Sequence, residues 1–198
     1  MKLNWVEKWV VNNPARSLEQ RFEMGWLKKK MPLNEGAQIL EIGCGRGAGA
    51  GLIVEAFQPS RLYAFDLDID MVQKAKKPLP MDAGETISLF VGDALHLPFQ
   101  KDSLDAVFGF GFLHHVVDWR GALAEIARVL RKGGVYFMEE LYPALYQNFI
   151  TRHLLLHPRS DRFHSDDLRQ GLDDLKMPVK EALELKKWGI LAVAVKES

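Results

Sequence analysis

Acidic residues follow apolar segments of this chain at points where β-strands are expected to end. Asp66 closes one apolar run and Asp93 follows another. A third run, Gln38–Ile42, contains Glu41 and leads into a glycine-rich turn. Carboxylates at the ends of parallel strands accept hydrogen bonds from ribose hydroxyls and from base edges. These residue types therefore predict a nucleotide-type ligand.

The glycine turn supports the same interpretation. Glycines occupy positions 43, 45, 47, 49 and 51, and an amphipathic helical pattern follows at 52–57. A strand, a tight turn and a helix in this order direct backbone N–H groups and the positive end of the helix dipole towards a ligand. Glycine is needed where the turn has positive φ or where a ligand approaches closely.

Strand-like and helix-like segments alternate along the chain, which predicts a mostly parallel sheet covered by helices on both faces. Arg131–Gly134 reads as a turn after a helix. A final antiparallel hairpin is expected to turn near Gly189. The predicted strands are 38–42, 61–65, 86–91, 104–110, 135–138, 182–188 and 190–196, and the principal helices are 69–77, 122–130, 143–156 and 165–175, the last with Ser165 as its N-cap.

Residues 1–35 are predicted to form an N-terminal helical cap on a main domain of residues 36–198, within one domain overall. A break at Asn12–Pro14 divides the cap into two helices, with Asn13 as N-cap. The lysines at 28–30 are interpreted as a solvated helix end.

Composition limits the partners. The 26 basic and 26 acidic residues balance, so a large nucleic-acid footprint is not expected. No apolar run is long enough for a membrane span, and the N-terminus lacks the apolar core of a signal peptide. Cys44 is the single cysteine, which indicates a reducing, cytoplasmic location. A monomer or a homodimer is expected.

Five motifs together resemble the class I S-adenosylmethionine-dependent methyltransferases, strongly over residues 38–140 and weakly over the terminal hairpin. The resemblance implies a Rossmann-like three-layer sandwich with a mostly parallel seven-stranded sheet. It also implies S-adenosyl-L-methionine as cofactor. The motifs are EIGCGRG at 41–47, FDLD at 65–68, GDALHLPF at 92–99, DAVFGFGFLHHV at 105–116 and LRKGGVYFMEE at 130–140.

The resemblance also implies a set of cofactor contacts. Gly43 and Gly45 would line the methionine tail, whose ammonium Glu41 would support. Phe110 would lie near the methionine end, although a smaller residue is more usual there. The full implied set is Glu41, Gly43, Cys44, Gly45, Asp66, Leu67, Asp93, Ala94 and Phe110.

At the other end of the implied cofactor, Asp66 would bind the ribose and Leu67 would pack on adenine. Asp93 would accept from the adenine amino group, and the Ala94 N–H would meet a ring nitrogen. The alternative for Asp66 and Asp93 is that they satisfy loop amides as ordinary strand-end caps. The alternative for Glu41 is an ion pair with a lysine or arginine.

Methyl transfer from a sulfonium needs an aligned acceptor and the exclusion of water, and a base if the acceptor carries a proton. His114 and His115 are the predicted candidates, since they follow the fourth strand, although this histidine pair also occurs in the family for local structure. His96 and Asp118 are weaker candidates. No metal site is predicted, because His153, His157 and His164 lack tight ligand spacing.

A small-molecule or lipid-like acceptor is predicted, covered by residues 1–30 and 143–164. Core packing is the expected role of most aromatics near this pocket, which are Phe110, Phe112, Trp119, Tyr142, Tyr146 and Phe149.

Two other functions remain open. A nicotinamide-dependent oxidoreductase fits the glycine spacing Gly43-x-Gly45-x-x-Ala48 together with Asp66, whereas Glu41 and Asp93 disfavour it. A cofactor-binding protein without catalysis is the second alternative, because no catalytic base is evident.

Overall fold

The computed structural model describes residues 14–79, 86–146, 162–185 and 187–197. Within these ranges one sheet is flanked by helices. The strands are β1 (Gln38–Ile42), β2 (Arg61–Asp66), β3 (Ile87–Val91), β4 (Leu104–Phe110), β5 (Leu130–Leu141), β6 (Val179–Leu185) and β7 (Gly189–Val195). The helices are α1 (Pro14–Lys30), α2 (Ala48–Phe57), α3 (Ile69–Ala75), α4 (Trp119–Val129), α5 (Pro143–Tyr146) and α6 (Ser165–Asp174), with a 3-10 turn at Leu113–His115.

The seven strands lie in the order β3-β2-β1-β4-β5-β7-β6. Strands β1 to β5 are parallel to their neighbours, whereas β7 is antiparallel to both β5 and β6. This arrangement confirms the predicted sheet and its terminal hairpin. The chain builds outward from β1 through β2 to β3 and then returns to place β4 on the other side of β1. The strand order therefore reverses between β1 and β4, where open sheets bind ligands.

Strand residues alternate between two buried faces, as expected for parallel strands covered on both sides. Ile39 packs among residues of α1, α2 and α3, whereas Leu40 packs among residues of α4 and α6. Met24 and Leu27 of α1 belong to the first of these clusters. Helix α1 is therefore part of the core packing of the sheet.

Gly47 is required where α2 begins. Its φ is +84°, and a Cβ at this position would lie 2.9 Å from the carbonyl oxygen of Ala75, the last residue of α3. A larger residue would push α2 and α3 apart. This glycine thus allows the turn after β1 to pack close beside α3.

Strand β5 begins earlier than predicted. The expected turn at Arg131–Gly134 is wrong, because the strand already starts at Leu130. The register with β4 shifts between Leu104 and Ala106, so the intervening residues of β5 form a bulge. Gly133, at φ +74°, donates its N–H to the Lys196 carbonyl oxygen at 2.8 Å. The two glycines therefore accommodate a bulge and do not end a helix.

Smaller differences concern the C-terminal third. The N-cap of α6 is His164 and not Ser165, and the His164 N–H donates to the Asp167 carboxylate at 2.9 Å. Strand β6 begins at Val179, three residues before its predicted start, and the hairpin turn precedes Gly189. The predicted helix at 143–156 is described only as Pro143–Tyr146.

Several predictions lie outside the described residues: the first cap helix, the Asn13 N-cap, and the remainder of the predicted 143–156 helix. The boundary between a cap and a main domain stays a prediction. Among the described helices, none is long and apolar enough to cross a membrane.

Candidate functional site

The backbone amides of the glycine turn are already used within the fold. Gly43 N and Cys44 N both donate to the Phe65 carbonyl oxygen at 2.9 Å, and Gly47 N donates to the Cys44 carbonyl oxygen at 2.8 Å. Gly45 N donates to Asp66 Oδ2 at 3.1 Å. The prediction that this turn presents free N–H groups is therefore wrong for these four positions. A turn with its amides occupied is poorly suited to cradle a phosphate.

Space remains above the turn. A Cβ at Gly45, where φ is +52°, would meet no atom of the described residues within 4 Å. Gly43 instead faces the β4 loop, and a Cβ there would lie 3.0 Å from the Cβ of Phe112. The loops after β1 and β4 thus touch at Gly43, while Gly45 leaves room for a ligand.

Glu41 lies beneath this turn and is 2% exposed. Its Oε1 fills the space beside Gly49, where any Cβ would overlap it. Its Oε2 is buried and makes no hydrogen bond within the described part of the chain. The predicted alternative, an ion pair with a lysine or arginine, is not found among the described contacts. Desolvation, with a smaller contribution from the charge of Asp66, raises the pKa of Glu41 to about 8.

Phe110 lies at the same end of the site, since a Cβ at Gly49 would be 3.6 Å from its Cδ2. The residue is partly buried and its ring centroid is 6.0 Å from that of Phe108. Cys44 is a buried, free thiol, and burial raises its pKa well above the ordinary value. Cys44 therefore remains a neutral packing residue inside the turn.

Asp66 joins the ends of β1 and β2. In addition to its bond from Gly45, its Oδ1 accepts from the Asp68 N–H at 2.9 Å. Burial raises its pKa, and these backbone donors oppose the shift. Asp66 therefore does accept hydrogen bonds from loop amides, as the alternative interpretation predicted. Each carboxylate oxygen has a second lone pair, so these bonds leave acceptor capacity for a ribose hydroxyl.

Exposed apolar side chains surround this end of β2. Leu67, Ile69 and Val91 are all about half exposed, and Val91 pairs in register with Asp66. Asp93 follows on the neighbouring strand end, where its Oδ1 accepts from the Leu95 N–H at 3.0 Å. Ala94 is buried behind it. An apolar surface beside a carboxylate is suited to an adenine ring, which has an apolar face and a polar edge.

A buried glutamate holds the histidine pair after β4. Glu140 accepts from the Leu113 N–H at 2.9 Å and the His114 N–H at 3.3 Å, and its Oε2 lies 2.8 Å from His114 Nδ1. The His114 ring is 4.3 Å from the His115 ring, centroid to centroid. His114 Cε1 would lie 3.5 Å from a Cβ at Gly111. Glu140 thus fixes both the loop and the imidazole at the end of β4.

A second acidic group faces the opposite side of β5. Glu139 Oε2 accepts from Arg16 Nη2 at 2.8 Å, and Arg16 Nη1 lies 2.7 Å from Glu23 and 3.0 Å from Glu19. Glu23 Oε2 is buried without a hydrogen bond in the described ranges. Desolvation raises the pKa of Glu139 to about 8, and Arg16 opposes the shift. The cluster fastens α1 to the carboxyl end of β5.

Sequence reasoning assigned no role to Arg16, Glu23, Glu139 or Glu140. A signal was present for the last two, because two glutamates at the end of a buried strand need partners for the same reason as Glu41. No signal marked Arg16, which meets Glu139 across 123 positions.

The two weaker candidates differ in position. Asp118 accepts from the Gly121 N–H at 2.8 Å as the N-cap of α4. His96 is exposed, and its Nδ1 lies 3.9 Å from Asp93 Oδ2. Asp105 accepts from the Gln38 N–H at 2.6 Å and pairs with Arg131. A hollow of about 220 Å³ beside this pair lies at the amino end of the sheet, opposite the glycine turn.

Several predicted pocket aromatics are core residues. Trp119 and Tyr142 are fully buried, and the Trp119 ring packs on Phe163. Phe149 lies outside the described residues, as do His153 and His157. No group of three potential metal ligands occurs in the ranges that the structure describes.

The fold is α/β, and the strand-end carboxylates gather at the switch between β1 and β4, where open sheets of this kind bind ligands. Residues 40–138 match the model of the methyltransferase domain family. The chain belongs to this family, which confirms the resemblance and, with it, S-adenosylmethionine as the cofactor of the class.

Curated relatives match a little over half of this chain. The chain is 33% identical over 109 residues to the fatty-acid O-methyltransferase of Mycolicibacterium smegmatis, which covers 55% of this chain and 39% of that protein. It is 36% identical over 120 residues to the demethylmenaquinone methyltransferase of Lactococcus lactis, and this alignment covers 59% of this chain and 47% of that protein. The chain thus spans less than half the length of these relatives.

Solved structures show the same fold. A methyltransferase in complex with the Haloferax volcanii Trm112 activator superposes with a TM-score of 0.74 at 21% identity, covering 96% of both chains. Geranyl diphosphate methyltransferase in complex with S-adenosylmethionine also gives 0.74, at 16% identity, covering 98% of this chain and 91% of that one.

Proposed function

We propose that this chain binds S-adenosylmethionine at the β1–β4 switch and transfers its methyl group to a small or lipid-like acceptor. The observation that carries the proposal is the Glu41 carboxylate, which is buried beneath the glycine turn with one oxygen lacking a hydrogen bond in the described part of the chain. A buried carboxylate of this kind is costly unless a cation or donor completes it. The methionine ammonium would supply both.

The remaining predicted contacts divide along the cofactor. Gly43, Gly45 and Phe110 would surround the methionine tail. Cys44 would support the turn from inside the fold. Asp66 would accept from the ribose hydroxyls, Leu67 would cover the adenine face, and Asp93 with Ala94 would meet its polar edge.

The cofactor supplies an electrophilic methyl group bound to a positively charged sulfur. In-line displacement by an acceptor lone pair is the chemistry that the bound cofactor would make possible. The chain aligns the acceptor and excludes water. A proton on the acceptor would pass to a base, for which His114 and His115 remain the proposed residues. Glu140 would act on His114 by orientation.

The acceptor class rests on the relatives' names and on the site. The two relatives described above methylate, by name, a fatty acid and a demethylmenaquinone. The exposed Leu67, Ile69 and Val91 beside the strand ends suit an apolar acceptor. The balanced charge of the chain does not favour a nucleic acid. A cytoplasmic location, supported by the free thiol of Cys44, and a monomeric or homodimeric state belong to the same proposal.

Calorimetry of the full chain against S-adenosylmethionine and NADH tests the cofactor. We expect binding of S-adenosylmethionine and none of NADH, because four amides of the turn are already bonded within the fold and the buried Glu41 suits an ammonium better than a pyrophosphate. NADH binding without S-adenosylmethionine binding would instead establish the oxidoreductase alternative.

Catalysis is tested separately with methyl-labelled cofactor and fatty acids or quinones of several chain lengths. Label in an organic extract is the expected result. Cofactor binding without transfer to any acceptor in a cell extract would favour the non-catalytic alternative.

A further inference from the structure

The outward face of α1 is both apolar and basic. Leu18 is 73% exposed and Phe22 is 64% exposed, although both are large hydrophobic residues. They lie one helical turn apart and therefore on the same side of the helix. Leu27 and Met24, which pack into the core, lie on the other side. Leu18 and Phe22 are thus separate from the residues that bury α1 against the sheet.

Cations accompany these two side chains. Lys29 continues the row of Leu18 and Phe22 along the helix, and Arg21 and Lys28 occupy the adjacent row. All three basic residues are exposed. Arg21 has a weak partner, Glu55, at 3.5 Å between two exposed side chains. Leu18, Arg21, Phe22, Lys28 and Lys29 are hereafter the α1 outer face.

Acidic residues lie mainly on the opposite side of the same helix. Glu23 is buried against Arg16, and Glu19 pairs with Arg16 at 3.0 Å at the margin. The zero net charge of the whole chain therefore conceals a local separation, in which the α1 outer face is positive. Apolar side chains flanked by cations are the pattern of a helix that lies in the interface of an anionic lipid layer.

We propose that the α1 outer face docks on an anionic lipid surface. The opposite face of α1 contacts Glu139 at the carboxyl end of β5, which is the edge of the sheet that holds the candidate site. Docking would therefore hold this edge beside the lipid layer. The lipid binding goes beyond the proposed methyl transfer and does not require it, since it is measured without cofactor or acceptor.

Co-sedimentation of the full chain with vesicles tests the proposal. We expect binding to mixed phosphatidylglycerol–phosphatidylcholine vesicles, much weaker binding to pure phosphatidylcholine, and weakening in 0.5 M NaCl. Lys28→Glu with Lys29→Glu should lower the partition coefficient by at least about 25-fold, at roughly five-fold for each cation lost. Phe22→Ser should lower it about ten-fold, because it removes an inserted apolar side chain.

Matched controls locate the surface. Lys76→Glu with Lys77→Glu changes two exposed lysines after α3, and Leu185→Ser changes a 70% exposed leucine on β6. Both variants should bind vesicles like the parent chain, and circular dichroism should show every variant folded. Equal loss in these controls would overturn the assignment to α1, as would the absence of binding to anionic vesicles.

Light scattering distinguishes another occupant of the same face. A dimer of the parent chain that Phe22→Ser converts to a monomer, without vesicle binding by either, would assign the α1 outer face to a second copy and overturn the lipid proposal.

Discussion

Glu41 is the residue at which stability and binding oppose each other most directly. Burial raises its pKa to about 8, so at neutral pH most of the empty protein carries a protonated, neutral Glu41 side chain. A bound ammonium would favour the carboxylate and lower that pKa again. Binding of S-adenosylmethionine should therefore release protons, and its affinity should rise between pH 6 and pH 7.

Glu41→Gln should weaken S-adenosylmethionine binding by about 1–3 kcal/mol, because it removes the charge that faces the ammonium. It should also stabilise the empty protein. The folded-state pKa of Glu41 is above its ordinary value of 4.5, so the parent loses stability as pH rises towards 8. The advantage of the variant should grow by about 2 kcal/mol from pH 6 to pH 8 in urea unfolding.

Glu35→Gln is the matched control for this substitution, since Glu35 is exposed in the loop between α1 and β1. It should change neither affinity nor the pH dependence of unfolding. Unchanged affinity of Glu41→Gln would remove Glu41 from the cofactor site.

Asp66→Ala should weaken binding of S-adenosylhomocysteine by roughly 1–3 kcal/mol, as a ribose hydroxyl and two loop amides lose their acceptor. Calorimetry measures the loss, and Asp70→Ala serves as control because Asp70 is exposed in the first turn of α3. If both variants bind alike, Asp66 has a structural role alone.

Among single residues, the sequence identified candidate site residues where a polar side chain lies at the end of a predicted strand. Glu41, Asp66 and Asp93 could be identified because each polar side chain interrupts or closes an apolar run. Arg16 could not, because its contact with Glu139 depends on how α1 packs across β5. The cofactor roles of Glu41, Asp66 and Asp93 stay predictions.

Between elements, the Arg16 cluster is the principal polar contact of α1 with the sheet edge that holds the site. Arg16→Gln should destabilise the fold by about 2–3 kcal/mol, because it leaves Glu23 and Glu139 buried without their cation. Loss of Arg16 also raises the pKa of Glu139 further, so the destabilisation should increase from pH 6 to pH 9. Urea unfolding at these pH values measures both effects.

A double variant provides the control for the cluster. Arg16→Gln with Glu139→Gln removes the cation and one of its carboxylates together and should recover part of the lost stability. If the double variant is as unstable as the sum of the two single variants, the residues do not interact in solution.

Element boundaries were predictable where turn chemistry and periodicity agree. The start of β1 and both ends of β4 are as predicted, because an apolar run is bounded by polar or glycine residues at each point. The start of β5 was not predictable, since Gly133–Gly134 is typical of a helix end. In the structure these two glycines instead form backbone hydrogen bonds with Lys196, which directly follows β7.

For the whole molecule, periodicity predicted an alternating α/β chain, but the order of the strands follows from packing across the sheet. That order places the ends of β1, β2, β3 and β4 at one edge, where the candidate cofactor residues meet. On the other side of β4, β7 runs antiparallel between β5 and β6.

Lys196, which follows β7, connects this strand to the end of α4 and the start of β5. Its Nζ donates to the carbonyl oxygens of Ala127 and Leu130 at 2.7 and 2.6 Å and pairs with Asp102 at 2.6 Å. Lys196→Met should cost about 2–3 kcal/mol in urea unfolding, since it leaves two partly buried carbonyls unpaired. Lys180→Met, which removes an exposed pair with Glu197, should cost at most about 1 kcal/mol. Equal losses would show that Lys196 acts merely as a surface charge.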